Sequence, residues 1–372
     1  MKKVILSVTN DLVTDQRLDK TALCLANAGY EVLTVGRRYN DSPPVPEKKY
    51  QTKRLSLFFR KGFCFYAEFN LRLFFFLLFR NVDILVANDL DTLLPNFLVS
   101  KIRRKKIVYD SHEYFCGLPE LTDRPRVRKV WLRIEKFCFP KLPLVITVSP
   151  SIAQLYDAEY PTRTMKVQVI RNVPSSAIIS EGGTRTTLGL PEEKRIIVMQ
   201  GAINIDRGAE ELIEAMRFIP NALLLIIGNG DVIPQLKQRV AAEGLGALVR
   251  FIPRIAPEQL AAYTALADIG CSLEKDTNCN YRYCLPNKLF DYIRAGIPVV
   301  VSDLPEMASV VRENGVGVVI PEHSPQGIAL AVNQLLNDSI LYQQCREQCR
   351  KSAPKYVWEQ ECRLLQELYR NL

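Results

Sequence analysis

Nothing in this chain of 372 residues is long and apolar enough to cross a membrane as a helix, which takes roughly 18 consecutive apolar residues. The longest apolar run, Leu73–Phe79 (LFFFLLF), stops between Arg72 and Arg80. Histidine is almost missing: only His112 and His323 occur. The ten cysteines include no Cys-x-x-Cys. Cys345 and Cys349 fall inside a helical pattern, and Cys271, Cys279 and Cys284 have no His beside them. A zinc module is thereby excluded, and the cysteines read as reduced, mostly buried thiols of a cytosolic protein. No zinc-finger spacing and no RNP-like aromatic motif is present, so nucleic acid is not an expected partner. The six-residue glycine fingerprint of dinucleotide-binding folds is missing from both halves. The N-terminus, MKKVILSVTNDL, turns polar directly after its basic start and has no small-residue cleavage site. It reads as a first strand rather than a signal peptide, and the expected location is cytoplasmic.

What is present is the composition of a folded protein, 48% apolar and 24% charged, over a length that suits two domains of roughly 150 to 200 residues. Charge is unevenly shared. Residues 1–174 carry 29 Lys and Arg against 17 Asp and Glu, whereas residues 175–372 carry 20 against 23. So basic a first half suits an anionic substrate or an anionic membrane surface, or is simply a solvated face.

Short β-branched runs alternate with amphipathic helical stretches from end to end, the pattern of a parallel sheet covered on both faces. Strands are expected at Lys3–Thr9, Glu31–Gly36, Asp83–Ala87, Lys106–Tyr109, Leu144–Val148 and Lys166–Ile170. Helices are expected between them, at Thr14–Ala28 and Arg126–Cys138 among others. A second series of strands follows at Arg195–Gln200, Ala222–Ile227, Val249–Ile252, Ile269–Leu273, Pro298–Val301 and Gly317–Ile320. The expectation is an α/β protein of two tandem Rossmann-like domains. The first spans 1–174, a polar glycine-bearing linker spans 175–194, and the second spans 195–354. The helix at 355–372 has room to pack back against the first domain.

Arg54–Phe79 holds nine phenylalanines interleaved with Arg60, Lys61 and Arg72, with Arg80 following. Two readings stand. One is an interfacial helix resting on anionic lipid; the other is a helix packed on the sheet with snorkelling cations.

Several segments carry chemistry. Gly228-Asn229-Gly230-Asp231 closes a strand and opens a helix, where small residues let a ligand approach free N–H groups and the positive end of the helix dipole. Gly201 directly follows a strand and keeps the floor of a cleft low, and Arg207 follows it, able to offer a bidentate guanidinium to phosphate. In Tyr283–Val300, Pro286 suits the start of a helix and Gly296 its end. Lys288 then sits in the first turn, where its charge opposes the dipole unless an anion is near. Asp291, three residues on, shares its face and can accept from the two hydroxyls of a ribose. In the first half His112 follows a strand, placed to donate to a sugar hydroxyl or to move a proton. Asn88-Asp89-Leu90-Asp91 and Thr9-Asn10-Asp11 end neighbouring strands, and His323 reads as a loop residue.

Together these segments resemble a glycosyltransferase of GT-B architecture, similar to glycosyltransferase family 4, over nearly the whole chain. The most specific stretch is LPNKLFDYIRAGIPVVVSD at 285–303. The resemblance implies two Rossmann-like domains with a cleft between them and a last helix crossing back to the first domain. It implies that Arg207 and Lys288 hold the donor's diphosphate as leaving group, and that Asp291 binds the ribose. It further implies that His112 contacts the donor sugar near the reacting carbon, that Gly230 and Asp231 line the nucleotide side, and that Arg254 meets the base. In the family's Glu-x7-Glu motif the second acid is here Asp291, and the first position is Tyr283, so Glu274 is the candidate substitute. The family's glycine-rich first loop is replaced by Thr9-Asn10-Asp11.

The implied activity is a retaining transfer, without metal or other cofactor, of a hexose from a UDP- or GDP-sugar to a glycan or lipid-linked acceptor. Cell-surface polysaccharide or lipopolysaccharide synthesis is the implied setting, with peripheral contact at the cytoplasmic membrane face. Asp89 and Asp91 have an Asp-x-Asp spacing but fall in the first domain, and they read as cleft lining. Two alternatives are a nucleotide-sugar 2-epimerase of the same architecture and a non-catalytic sugar-nucleotide-binding scaffold.

Overall fold

The computed structural model describes residues 1–372 except 14, 41, 123, 162–165 and 177–181, and except the side chains of 119 and 122. The chain divides into two compact units, Met1–Arg171 with Glu361–Leu372, and Asn172–Gln360.

In the first unit the described residues form a seven-stranded sheet: β1 (Lys3–Ser7), β2 (Glu31–Arg37), β3 (Gln51–Leu55), β4 (Ile84–Asn88), β5 (Lys106–Ser111), β6 (Leu144–Thr147) and β7 (Gln168–Val169). Their order is β3-β2-β1-β4-β5-β6-β7 and every pairing is parallel. Central strands of such a sheet are covered on both faces and must be apolar throughout; β4 and β6 are buried at every residue. The sequence reading missed β3. It is an edge strand, Gln-Thr-Lys-Arg-Leu, of which only Leu55 is buried, so it never needed an apolar pattern. The helix read from Thr14 runs Gln16–Asn27 and is capped by the Asp15 carboxylate, which accepts from Leu18 N at 3.0 Å. Residue 14 itself lies outside the described residues. Strand order reverses between β1 and β4, and in open α/β sheets that switch point, at the carboxyl ends of the strands, is where ligands bind.

The second unit repeats the plan with β8 (Arg195–Ala202), β9 (Ala222–Asn229), β10 (Val249–Ile252), β11 (Ile269–Ser272), β12 (Val299–Val301) and β13 (Gly317–Val319). The order β10-β9-β8-β11-β12-β13, again parallel, puts its switch point between β8 and β11. The stretch read as a linker, 175–194, differs from expectation in its described part. Arg185 makes a 2.8 Å ion pair with Asp268, and Leu190 joins the unit's core, so 182–194 is packed onto this unit. Residues 177–181 of that stretch lie outside the described residues.

The final helix, Trp358–Arg370, begins in the second unit and its residues from Glu361 belong to the first. There Glu361 pairs with Arg171 at 3.1 Å, and Tyr30 Oη donates to Tyr369 O at 3.2 Å. A disulfide joins Cys24 to Cys362. This corrects the expectation of uniformly reduced thiols: the two cysteines are 338 residues apart and meet only because their helices lie side by side. The other eight cysteines are free. A bridge closing so long a loop acts mainly by restricting the unfolded chain. Cys24→Ser is expected to lower the unfolding free energy by about 2–4 kcal/mol, a difference that reductant abolishes. Thiol counting under denaturing, non-reducing conditions checks the bond: eight reactive thiols support it, and ten contradict it.

Candidate functional site

The second unit gathers its charged groups at its switch point. Arg207 lies in the loop after β8 and Glu274 follows β11, the neighbouring strand. Lys288 is the second residue of the helix Asn287–Ala295, which Pro286 starts with extended backbone and Gly296 ends at φ 73°. Glu274 is wholly buried. Its Oε1 accepts from Lys288 Nζ at 3.0 Å and lies 3.4 Å from Arg207 Nη1, while Oε2 accepts from Ser272 Oγ at 2.8 Å. Burial works to raise the Glu274 pKa, but the charges of Lys288 and Arg207 outweigh it and hold the carboxyl down at about 2. Two cations share one carboxylate, so the cluster keeps a net positive charge. Arg207 also stacks over Tyr281, 5.2 Å from ring centre, and its Nε is buried without a hydrogen-bond partner. The anion expected to offset Lys288 at its helix start is therefore, in this structure, a carboxylate of the chain itself.

Around this cluster the backbone is tightly packed. A Cβ on Gly208 would fall 2.2 Å from Leu273 O, and one on Gly230 would fall 1.8 Å from Ile203 O. Close backbone approach thus requires both glycines. Gly201, expected just after the strand, lies within β8, one residue before its end and paired with Gly228, at φ 105°. Asp231 Oδ1 accepts from Ile205 N at 3.1 Å, tying the turn after β9 to the loop that carries Arg207. Asp291 accepts from Gln200 Nε2 at 3.1 Å, and Gln200 is fixed in turn by Thr264 Oγ1, which donates to Gln200 Oε1 at 2.8 Å. Arg254 is exposed, its N–H donating to Asn229 Oδ1 at 3.3 Å.

The first unit has a cluster of its own at its switch point. His112 N donates to Asp89 Oδ1 at 2.8 Å, its Nδ1 lies 3.3 Å from Asp89 Oδ2, and its Nε2 lies 3.7 Å from Asp110 Oδ2. Arg17 Nη2 donates to Asp110 Oδ1 at 2.7 Å, and Arg17 Nη1 donates to Ile170 O at 3.0 Å. Asp89 has φ 62°, a left-handed conformation that costs a non-glycine residue free energy and is held by these contacts. Although burial opposes its charge, the carboxylates of Asp89 and Asp110 raise the pKa of His112 to about 9. Beside it Asp91 accepts from Thr9 Oγ1 at 2.6 Å, while its Oδ1 is buried without a partner. Burial, reinforced by the charge of Asp89, pushes Asp91 up to about 8.

Residues 16–173 match the family described as Glycosyltransferase Family 4, and residues 184–352 match Glycosyl transferases group 1. The chain belongs to glycosyltransferase family 4. It is 26% identical over 186 residues to the D-inositol 3-phosphate glycosyltransferase of Jonesia denitrificans, covering 47% of this chain and 42% of that protein. The chain spans about half the length of the curated relatives it matches. Among solved structures it is similar to sucrose-phosphate synthase from Thermosynechococcus elongatus, with TM-score 0.82 and 19% identity over 100% of this chain and 99% of that one. It is also similar to Anabaena HepE in complex with UDP and glucose, with TM-score 0.79 and 16% identity over 100% of both chains. These likenesses establish the two-domain GT-B fold.

In this family 4 chain the structure brings Arg207, Glu274 and Lys288 into direct contact. Gly230 and Asp231 shape the neighbouring loop, and Asp291 is held by Gln200. Arg254 is exposed and is tied through its backbone to Asn229. Sequence reasoning missed three supports. His323, read as a loop residue, bonds Leu273 O through Nε2 at 2.8 Å, next to Glu274. Tyr281 carries the Arg207 stack, and Arg17 anchors Asp110. The helix that carries Arg17 was legible, but no local pattern marks which of its residues faces a carboxylate.

A raised histidine pKa has a definite sign in folding. The stabilisation from charged His112 is complete below its unfolded pKa of about 6.5 and is lost as pH rises through about 9. The difference in unfolding free energy between wild type and His112→Gln is therefore expected to shrink steadily from pH 7 to 10. A flat difference would mean that His112 is neutral in the folded protein.

Proposed function

We propose that this chain is a nucleotide-sugar-dependent glycosyltransferase whose donor diphosphate binds at the Arg207–Glu274–Lys288 cluster. The observation that carries the reading is the pair of cations held on one buried carboxylate at the switch point. Lys288 Nζ and Arg207 Nη1 lie 3.0 and 3.4 Å from Glu274 Oε1. Such an arrangement fixes two positive groups before any ligand arrives and leaves them with surplus charge. When the bond from sugar to phosphate breaks, negative charge grows on the diphosphate, and preorganised cations stabilise that growth without reorganisation at the moment of reaction.

The finer reading is a retaining transfer of a hexose that uses these side chains in place of a metal, with UDP or GDP as carrier. The HepE likeness supports a uridine diphosphate donor, because that protein is described in complex with UDP and glucose. Asp291 takes the ribose and Arg254 the base. The acceptor is a glycan or a lipid-linked sugar of cell-surface polysaccharide or lipopolysaccharide synthesis, met at the cytoplasmic membrane face.

Thermal unfolding with UDP, GDP, ADP and CMP tests the donor site. One nucleoside diphosphate is expected to raise the midpoint of wild type, CMP to do so little, and Lys288→Ala to lose the shift. A shift that survives Lys288→Ala would place the diphosphate elsewhere, and no shift with any nucleotide would remove the donor site. Epimerised sugar nucleotide formed without acceptor would replace transfer by epimerisation.

A further inference from the structure

The helix Gly62–Leu78 is apolar on both sides. Phe65, Phe69, Leu73 and Leu77 repeat every four residues and are buried against Ile5, Val35 and Leu85 of the sheet. The opposite stripe, Phe63, Ala67, Leu71, Phe75 and Phe79, has the same spacing and is exposed, Phe63 and Phe79 each at 80%. A helix apolar all round belongs to a buried environment, yet this one leaves half its apolar surface in water. The sequence left two readings for this segment, and the buried stripe accounts for the packed one alone.

The exposure continues over two neighbouring helices. Leu98 and Ile102 stand out from Leu93–Arg103, and Val127, Val130 and Phe137 from Pro125–Cys138. The three helices are contiguous: Arg103 Nη1 donates to Leu77 O at 3.3 Å, and the rings of Phe97 and Phe137 lie 5.6 Å apart. The Tyr66 and Trp131 rings, 5.2 Å apart, join the first helix to the third.

Charge on this face has one sign. Lys101, Arg104, Arg126, Lys129, Arg133 and Lys136 are exposed on or beside the second and third helices, and Lys61, Arg72 and Arg80 border the first. The only carboxylates within the three helices are Glu68 and Glu135. Glu68 is occupied by the backbone N–H groups of Phe58 and Phe59 and by Arg72 Nε, and Glu135 is buried under Tyr160 Oη, which donates to it at 2.7 Å. A second copy docking this face on itself would set cation against cation. Leu71, Ile102 and Val130 among the rings suit hydrocarbon rather than nucleic acid.

We propose that the outer face of these three helices docks on a bilayer carrying anionic headgroups. The Phe, Leu and Ile side chains enter the boundary between headgroups and acyl chains, and the surrounding Arg and Lys meet lipid phosphates. No helix among the described residues is long and apolar enough to cross, so the contact lies along the surface. The proposal deepens the glycosyltransferase reading and rests on it only for its purpose, since a lipid-linked acceptor would be met at the same plane.

Flotation of the intact protein, without nucleotide, on phosphatidylcholine vesicles with and without phosphatidylglycerol tests it. Binding is expected on the anionic vesicles alone and is expected to weaken with added salt. The triple variant Phe63→Ser, Phe75→Ser, Phe79→Ser is expected to bind at least about tenfold more weakly. The double variant Lys129→Ala, Arg133→Ala, which leaves the apolar stripe intact should the triple variant fail to fold, is expected to lose about fivefold for each cation. Absence of flotation, equal flotation on neutral vesicles, or unchanged binding by both variants overturns the proposal. So does a wild-type dimer in solution that these substitutions split. Flotation without any diphosphate-induced thermal shift keeps the docking face and removes the proposed donor site; the reverse result removes the face alone.

Discussion

The buried carboxylate of Glu274 is the constraint on which the second unit's chemistry depends. A lysine at the start of a helix and an arginine on a strand-end loop would each repel what surrounds them if left alone. One wholly buried acid holds both, and removing one partner from such a buried set typically costs about 3–5 kcal/mol because the others are left uncompensated. The surrounding geometry serves that carboxylate. Gly208 allows the loop to press against Leu273, His323 bonds the carbonyl of Leu273, and Ser272 satisfies the second oxygen. Strand order then puts this arrangement where an open sheet accepts ligands.

The first unit solves a related problem with the opposite excess. Its switch point collects three aspartates, and two cations, the buried Arg17 and the partly buried His112, balance two of them. The third, Asp91, is driven toward its neutral form, which lets its carboxyl donate as well as accept. Each unit thus holds a charged group ready at a strand end, fixed by partners drawn from distant parts of the sequence.

Much of this was legible in the residues. All six strands of the second unit fall where alternating apolar runs predict them, and the Pro286–Gly296 helix starts and stops as its end residues require. That block is the most specific part of a resemblance to family 4 that spans nearly the whole chain, and the family matches agree with it. What stayed hidden has a common physical cause: it depends on contacts distant in sequence. Arg17 reaches Asp110 across 93 residues, and Cys24 reaches Cys362 across 338. β3 escaped because an edge strand can be polar, and the described part of the supposed linker escaped because Arg185 and Leu190 reveal their partners only in three dimensions. Lys288 was read as a charge awaiting a phosphate; the anion the structure gives it is Glu274, 14 residues earlier, which no spacing rule names.

The most direct test of the central claim is a crystal structure of the protein with the nucleoside diphosphate that binds it. The account predicts phosphate oxygens within hydrogen-bond reach of Lys288 Nζ and of the Arg207 guanidinium, with Glu274 still holding both cations. Phosphates bound away from these two side chains, with the Glu274 cluster untouched, would contradict it.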